Sequence, residues 1–154
     1  MPTESIIEKV KETAGNLTEK VEEFKEDLWG EEQKLIIEEF RDSSVEKVKA
    51  MLSNINNSNE LFDKSGFHLQ NLKVSLGIPP VISVEFSIKG KISTEERARL
   101  LEDIKENNMI KLIVICLFKA SDFYDKIQFG NYKLSLIEIE LGLIPGINLE
   151  FSNG

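Results

Sequence analysis

"LGIPPVISVEFS", Leu76 to Ser87, is answered by "LGLIPGINLEFS", Leu141 to Ser152, 65 positions later, with Leu, Gly, Pro, Ile, Glu, Phe and Ser recurring in register. A repeat of this kind is read before any local assignment, because it decides the architecture. Working outward, "FHLQNLKVSLGIPP" (67–80) lies over "YKLSLIEIELGLIP" (132–145), and "LFDK" (61–64) over "FYDK" (123–126). Earlier still, "GEEQKLIIEEFRDSSVEKVKAML" (30–52) lies over "TEERARLLEDIKENNMIKLIVIC" (94–116). With small length changes near residues 57 and 127, Gly30 to Ser152 reads as two copies of a unit of about 60 residues, too few for a solenoid. The expectation is a pseudo-twofold pair sharing one core, repeat one over 30–92 and repeat two over 93–154.

The copies inform each other. "MIKLIVICLF" (109–118) is an apolar run whose periodicity cannot separate buried strand from buried helix. Its counterpart carries Val45, Val48, Leu52 and Ile55 at helical spacing, with Ser43 and Glu46 as a capping box, so both read as helix, with a strand as the alternative. The segments before them, 31–42 and 94–106, place Ile36, Ile37 and Phe40, and likewise Leu100, Leu101 and Ile104, on one face, with Ser93 and Glu96 as another box. The polar "DSS" and "ENN" mark the break between the two helices of each unit, and Asp63 and Asp125 fall at the helix-to-strand junction.

After "FDK" and "FYDK" the apolar period becomes two, as in a strand. Phe67 and Leu69 hold one phase and Leu72, Val74 and Leu76 the other; Tyr132 and Leu134 give way likewise to Ile137, Ile139 and Leu141. A phase slip at the same place in both copies predicts a β-bulge at Gln70–Leu72 and at Ser135–Ile137. Gly77 and Gly142, with Pro80 and Pro145, then turn the chain. On the return strand Ile82, Val84 and Phe86, like Ile147, Leu149 and Phe151, face inward, while Glu85 and Glu150 point out. The fold class is α+β: a duplicated helix-helix-β-hairpin unit forming a four-stranded antiparallel sheet packed on helices.

Residues 1–29 lie outside the repeat. Ser5 and Glu8 form a capping box, and Ile7, Val10, Leu17, Val21, Phe24 and Leu28 make a narrow apolar stripe on an extra amphipathic helix. Trp29 is expected to close that helix against the body, with an exposed anchor for a partner as the alternative. In repeat two Ile110, Ile113 and Leu117 replace Glu46, Lys49 and Ser53 of repeat one, turning a polar face apolar. The expectation is that the N-terminal helix covers this face, from its own chain or from a second copy, since large apolar patches are rarely left exposed.

Composition narrows the function. The 154-residue chain is 41% hydrophobic and 30% charged, an ordinary globular balance, and its net charge of −8, from 19 cations against 27 acids, opposes binding to a phosphate backbone. A single cysteine and the lack of a basic, small-residue leader imply a cytoplasmic protein. The longest apolar run is too short for a membrane span. His68 is the only histidine, and it reads as an exposed strand residue. Glu138 and Glu140 with Glu85 or Glu150 are the remaining cation-ligand set, favoured less than a solvated sheet face. "GKIS" (90–93) lacks the leading glycine and trailing hydroxyl of a P-loop. No cofactor, metal or catalytic motif stands out. The expected function is a non-enzymatic cytoplasmic protein-interaction or accessory module, with a protein partner or self-association through the N-terminal helix. The alternative is a small-molecule or lipid carrier holding a hydrophobic ligand in an apolar pocket between sheet and helices.

Overall fold

The computed structural model describes residues 44–77, 80–127, 130–143 and 145–153. Helix α1 (Val45–Asn56) and the short α2 (Asn59–Ser65) lead into strands β1 (Phe67–Ser75) and β2 (Val81–Ile88). Helices α3 (Thr94–Asp103) and α4 (Asn108–Ile127) lead into β3 (Tyr132–Leu141) and β4 (Gly146–Asn153). The N-terminal helix expected over 1–29, Trp29 and the helix expected over 31–42 lie outside the described residues.

Local chemistry sets the helix ends. Ser93 caps α3 as expected: its hydroxyl accepts the Glu96 amide at 3.1 Å and donates to Glu96 Oε1 at 3.1 Å. At α1 the cap is Ser44, whose Oγ accepts the Lys47 amide at 3.2 Å, one residue later than the Ser43–Glu46 box. A side chain three residues before the amide it binds reaches it only from the N-cap position, and here that position is 44. "MIKLIVICLF" lies wholly inside α4 and is helical. "LFDK" forms the C-terminal part of α2, directly before β1; α2 ends on Gly66 at φ 97°, in the left-handed region. The left-handed glycines among the described residues are Gly66 and Gly130. Gly142, expected to need such freedom, does not use it.

The sheet has the order β1-β2-β3-β4, every neighbouring pair antiparallel. Register shifts fall between Leu69 and Asn71 and between Leu134 and Leu136, so the bulged residues are Gln70 and Ser135, the first of each expected window. All pairs of the first hairpin recur 65 positions later in the second: Phe67↔Ile88 becomes Tyr132↔Asn153, and Ser75↔Val81 becomes Glu140↔Gly146.

This order corrects the expected pseudo-twofold. A twofold normal to the sheet exchanges the two central strands, yet β2 corresponds to β4 and β3 to β1. Matched strands run in the same direction, two places apart, so the hairpins are related by a step along the sheet.

The inner face carries rows such as Leu72, Val84, Ile139 and Ile147, and Leu69, Phe86, Ile137 and Leu149, packed in one hydrophobic cluster with the helices. Phe62 of α2 meets Phe86 edge-on at a centroid distance of 4.9 Å. Ile82, Val84 and Phe86 on central β2 are fully buried, whereas Ile147, Leu149 and Phe151 on edge strand β4 are half-buried.

Candidate functional site

Helix α4 is the most enclosed element. From Met109 to Phe123 the residues left partly or fully exposed are Lys111, Ile115, Lys119 and Asp122, a single stripe with 3–4 spacing. Every other position in that span is buried. Ile110, Ile113 and Leu117 are 1%, 0% and 0% exposed. Ile110 and Leu117 share a line with Tyr124, seven residues further on, because seven residues make nearly two helical turns. Tyr124 donates its hydroxyl to the Tyr132 carbonyl at 2.9 Å, and its ring lies 5.9 Å from that of Phe151. Tyr124 itself therefore looks onto the second hairpin. On another side of α4, Phe118 packs against Phe67 of β1, and the Arg97 guanidinium stacks 4.6 Å from the Phe118 ring while bonding Asp122.

The apolar substitution thus lies within the hydrophobic core cluster. Its counterparts Glu46, Lys49 and Ser53 on α1 are exposed. The stripe partners Ile7, Val10, Leu17, Val21, Phe24 and Leu28 lie outside the described residues.

Where α1 approaches the start of α4, an open cleft of about 750 Å³ is lined by Lys47, Met51, Asn54, Glu106, Asn107 and Met109, among others. The facing amides of Asn54 and Asn107 bridge the two helices. No sequence signal marks this pair, since each is an ordinary helix-end asparagine until the fold brings the ends together. The cleft lies at the helix ends and not between sheet and helices, where the carrier reading places its pocket.

The open face of the sheet is polar. Asn71, Glu85, Glu138 and Asn148 form one cross-strand row. Lys73 Nζ sits 2.7 Å from Glu85 Oε1, and Asn148 Nδ2 donates to Glu138 Oε1 at 2.9 Å. The Lys73 hydrogen bond holds the Glu85 carboxyl below the usual carboxylate range against the opposing effect of burial, and Glu85 in turn raises Lys73. Among the described residues no group of three or more His, Cys, Asp or Glu is placed to hold a metal ion.

Asp63 and Asp125, aligned in the sequence comparison of "LFDK" with "FYDK", hold ion pairs. Asp63 lies 3.1 Å from His68 Nδ1 and 3.5 Å from Lys89 Nζ, and the His68 bond lowers its carboxyl. Asp125 pairs with Lys91. His68 is an exposed strand residue. Cys116 is buried, and burial pushes its thiol up to about 12. Among the described residues no helix is long and apolar enough to cross a membrane.

No family model, no curated protein and no solved structure matches this chain.

Proposed function

We propose that this protein is a non-enzymatic interaction or accessory module of the cytoplasm, built from two copies of a helix-helix-hairpin unit. Its N-terminal segment offers the stripe Ile7, Val10, Leu17, Val21, Phe24 and Leu28 to a partner protein or to a second copy. The observation that carries this reading is the closed interface between sheet and helices. Ile82, Val84, Phe86, Ile113, Leu117 and Ile137 are all 0% exposed, and a cavity large enough for a ligand would leave atoms of its lining accessible. That favours an interaction module over the carrier reading.

Native mass spectrometry of the full chain, beside a Leu17→Asp/Val21→Asp variant, tests the reading. The expected result is a ligand-free protein whose self-association, or whose binding to a purified partner, is lost in the variant. A constant apolar adduct retained by both proteins would move the assignment to the carrier.

A further inference from the structure

Leu141 and Leu76 occupy the same position in the two matched hairpins, yet Leu141 is 1% exposed and Leu76 is 94% exposed. The difference lies in what flanks them. Leu141 stands opposite Ile82 across the β2–β3 junction. Leu76 directly follows β1, which among the described residues is an edge of the sheet. The pattern is general along that junction. Ile137 and Ile139 of β3 are buried, while their equivalents Leu72 and Val74 on β1 are half-buried. Ile82, Val84 and Phe86 of β2 are fully buried, while Ile147, Leu149 and Phe151 on β4, the other edge, are half-buried.

The step relating the hairpins gives the two edges a defined relationship. The outer side of β4 corresponds to the side of β2 that pairs with β3, and the outer side of β1 to the side of β3 that pairs with β2. We propose that copies of this protein join edge to edge, β4 of one molecule against β1 of the next, in the register of the internal β2–β3 junction. That register sets Ile147 opposite Leu76 of the neighbouring copy, Leu149 opposite its Val74 and Phe151 opposite its Leu72, all on the inner face. On the open face it sets Glu150 opposite Lys73 of the neighbouring copy.

The charges support this occupant. At the internal junction the equivalent position holds two acids, Glu85 opposite Glu138. At the edges it holds one acid and one base, so the contact is complementary where the internal one is like-charged. The stretch involved, Asn71 to Leu76, begins just after the Gln70 bulge, as the β3 stretch Leu136 to Leu141 begins just after Ser135. Strand addition of this kind takes its affinity from main-chain hydrogen bonds and its specificity from alternate side chains. A lysine on an edge strand ordinarily discourages pairing, and here it selects a neighbour that presents Glu150. The contact is heterologous, and sheet twist converts the step into a screw operation, so growth is open-ended and does not stop at a dimer.

The inference deepens the interaction-module reading by naming a second copy as partner, through a surface separate from the N-terminal stripe. The test is sedimentation velocity of the full chain from low micromolar to near-millimolar concentration. The expected result is a progressive rise in sedimentation coefficient without a dimer plateau, lost in Glu150→Lys and in Leu76→Asp. Leu76 is so exposed that its replacement spares the core, and circular dichroism checks the fold of each variant. Lys73→Glu is expected to be monomeric alone and to associate again when mixed with Glu150→Lys, since both junctions of the mixture regain opposite charges. A full chain that stays monomeric throughout, or association unmoved by Glu150→Lys and Leu76→Asp, overturns the edge proposal. Association lost in Leu17→Asp/Val21→Asp but untouched by the edge variants overturns it while sparing the N-terminal reading. Association lost in the edge variants alone supports the edge proposal and removes self-association from the N-terminal stripe.

Discussion

Asn54 and Asn107 exchange two side-chain hydrogen bonds, Asn54 Nδ2 to Asn107 Oδ1 at 3.0 Å and Asn107 Nδ2 to Asn54 Oδ1 at 2.8 Å. Asn107 Oδ1 also accepts the Ile110 amide at 3.4 Å, so one residue both caps α4 and ties it to α1. Asn107→Ala removes the cap and leaves a part-buried amide without its mate, an expected loss of about 1–3 kcal/mol in urea unfolding. Asn54→Ala/Asn107→Ala is expected to cost less than the two single losses added together, because both remove the same pair.

Gly66 cannot carry a side chain. Its φ is 97°, and a Cβ there would lie 2.1 Å from the carbonyl oxygen of Gly90. The Gly66 carbonyl also accepts the amides of Lys89 and Gly90 at 2.8 and 3.2 Å, tying the end of α2 to the exit of β2. Gly130, at φ 59°, has open space around its Cβ position. Gly130→Ala is therefore expected to cost only the left-handed strain, about 1–2 kcal/mol, and Gly66→Ala clearly more. Gly90→Ala meets nothing within 4 Å and should leave the urea midpoint nearly unchanged.

The Lys73–Glu85 pair makes stability depend on pH at both ends of the scale. Glu85 is lowered in the folded chain, so its contribution is present above the ordinary carboxylate value and is lost as pH falls through the folded one. Lys73 is raised, so its contribution is present below the ordinary lysine value and is lost as pH rises through the folded one. Urea midpoints across the acid limb should fall less steeply in Glu85→Gln than in the parent chain. A carboxyl NMR titration should show Glu85 moving up toward the ordinary value in Lys73→Met.

Cys116 is 1% exposed, and its thiol is pushed up to about 12. The thiolate is the reactive form. An aromatic disulfide reagent should therefore leave the folded protein unmodified at neutral pH and label it promptly in urea. Labelling of the folded chain at the rate of a free thiol would show that α4 opens readily.

Much of the local structure was legible because the signals act over a few residues. The phase slip at Gln70 and Ser135 announced both bulges, since a bulge shifts every later side chain to the other face of its strand. Ser93 and Glu96 announced the cap of α3. "MIKLIVICLF" is legible as helix only through its clearer counterpart, because a short, fully apolar run carries no period of its own. The cap of α1 lies one residue beyond the Ser43–Glu46 pattern because Ser43 and Ser44 offer the same hydroxyl, and only the start of the helical turn chooses between them.

By itself, then, the sequence determined the α+β class, the two hairpins and which strand faces turn inward, because alternation and turn chemistry are properties of neighbours along the chain. Only the tertiary structure decided that the matched hairpins are related by a step and not by a twofold, because strand order is a choice among non-local pairings that the same side chains can satisfy. It likewise placed Ile110, Ile113 and Leu117 in the buried core cluster. It also gave Leu141 a neighbouring strand while leaving Leu76, its counterpart in an identical "LG", on an open edge.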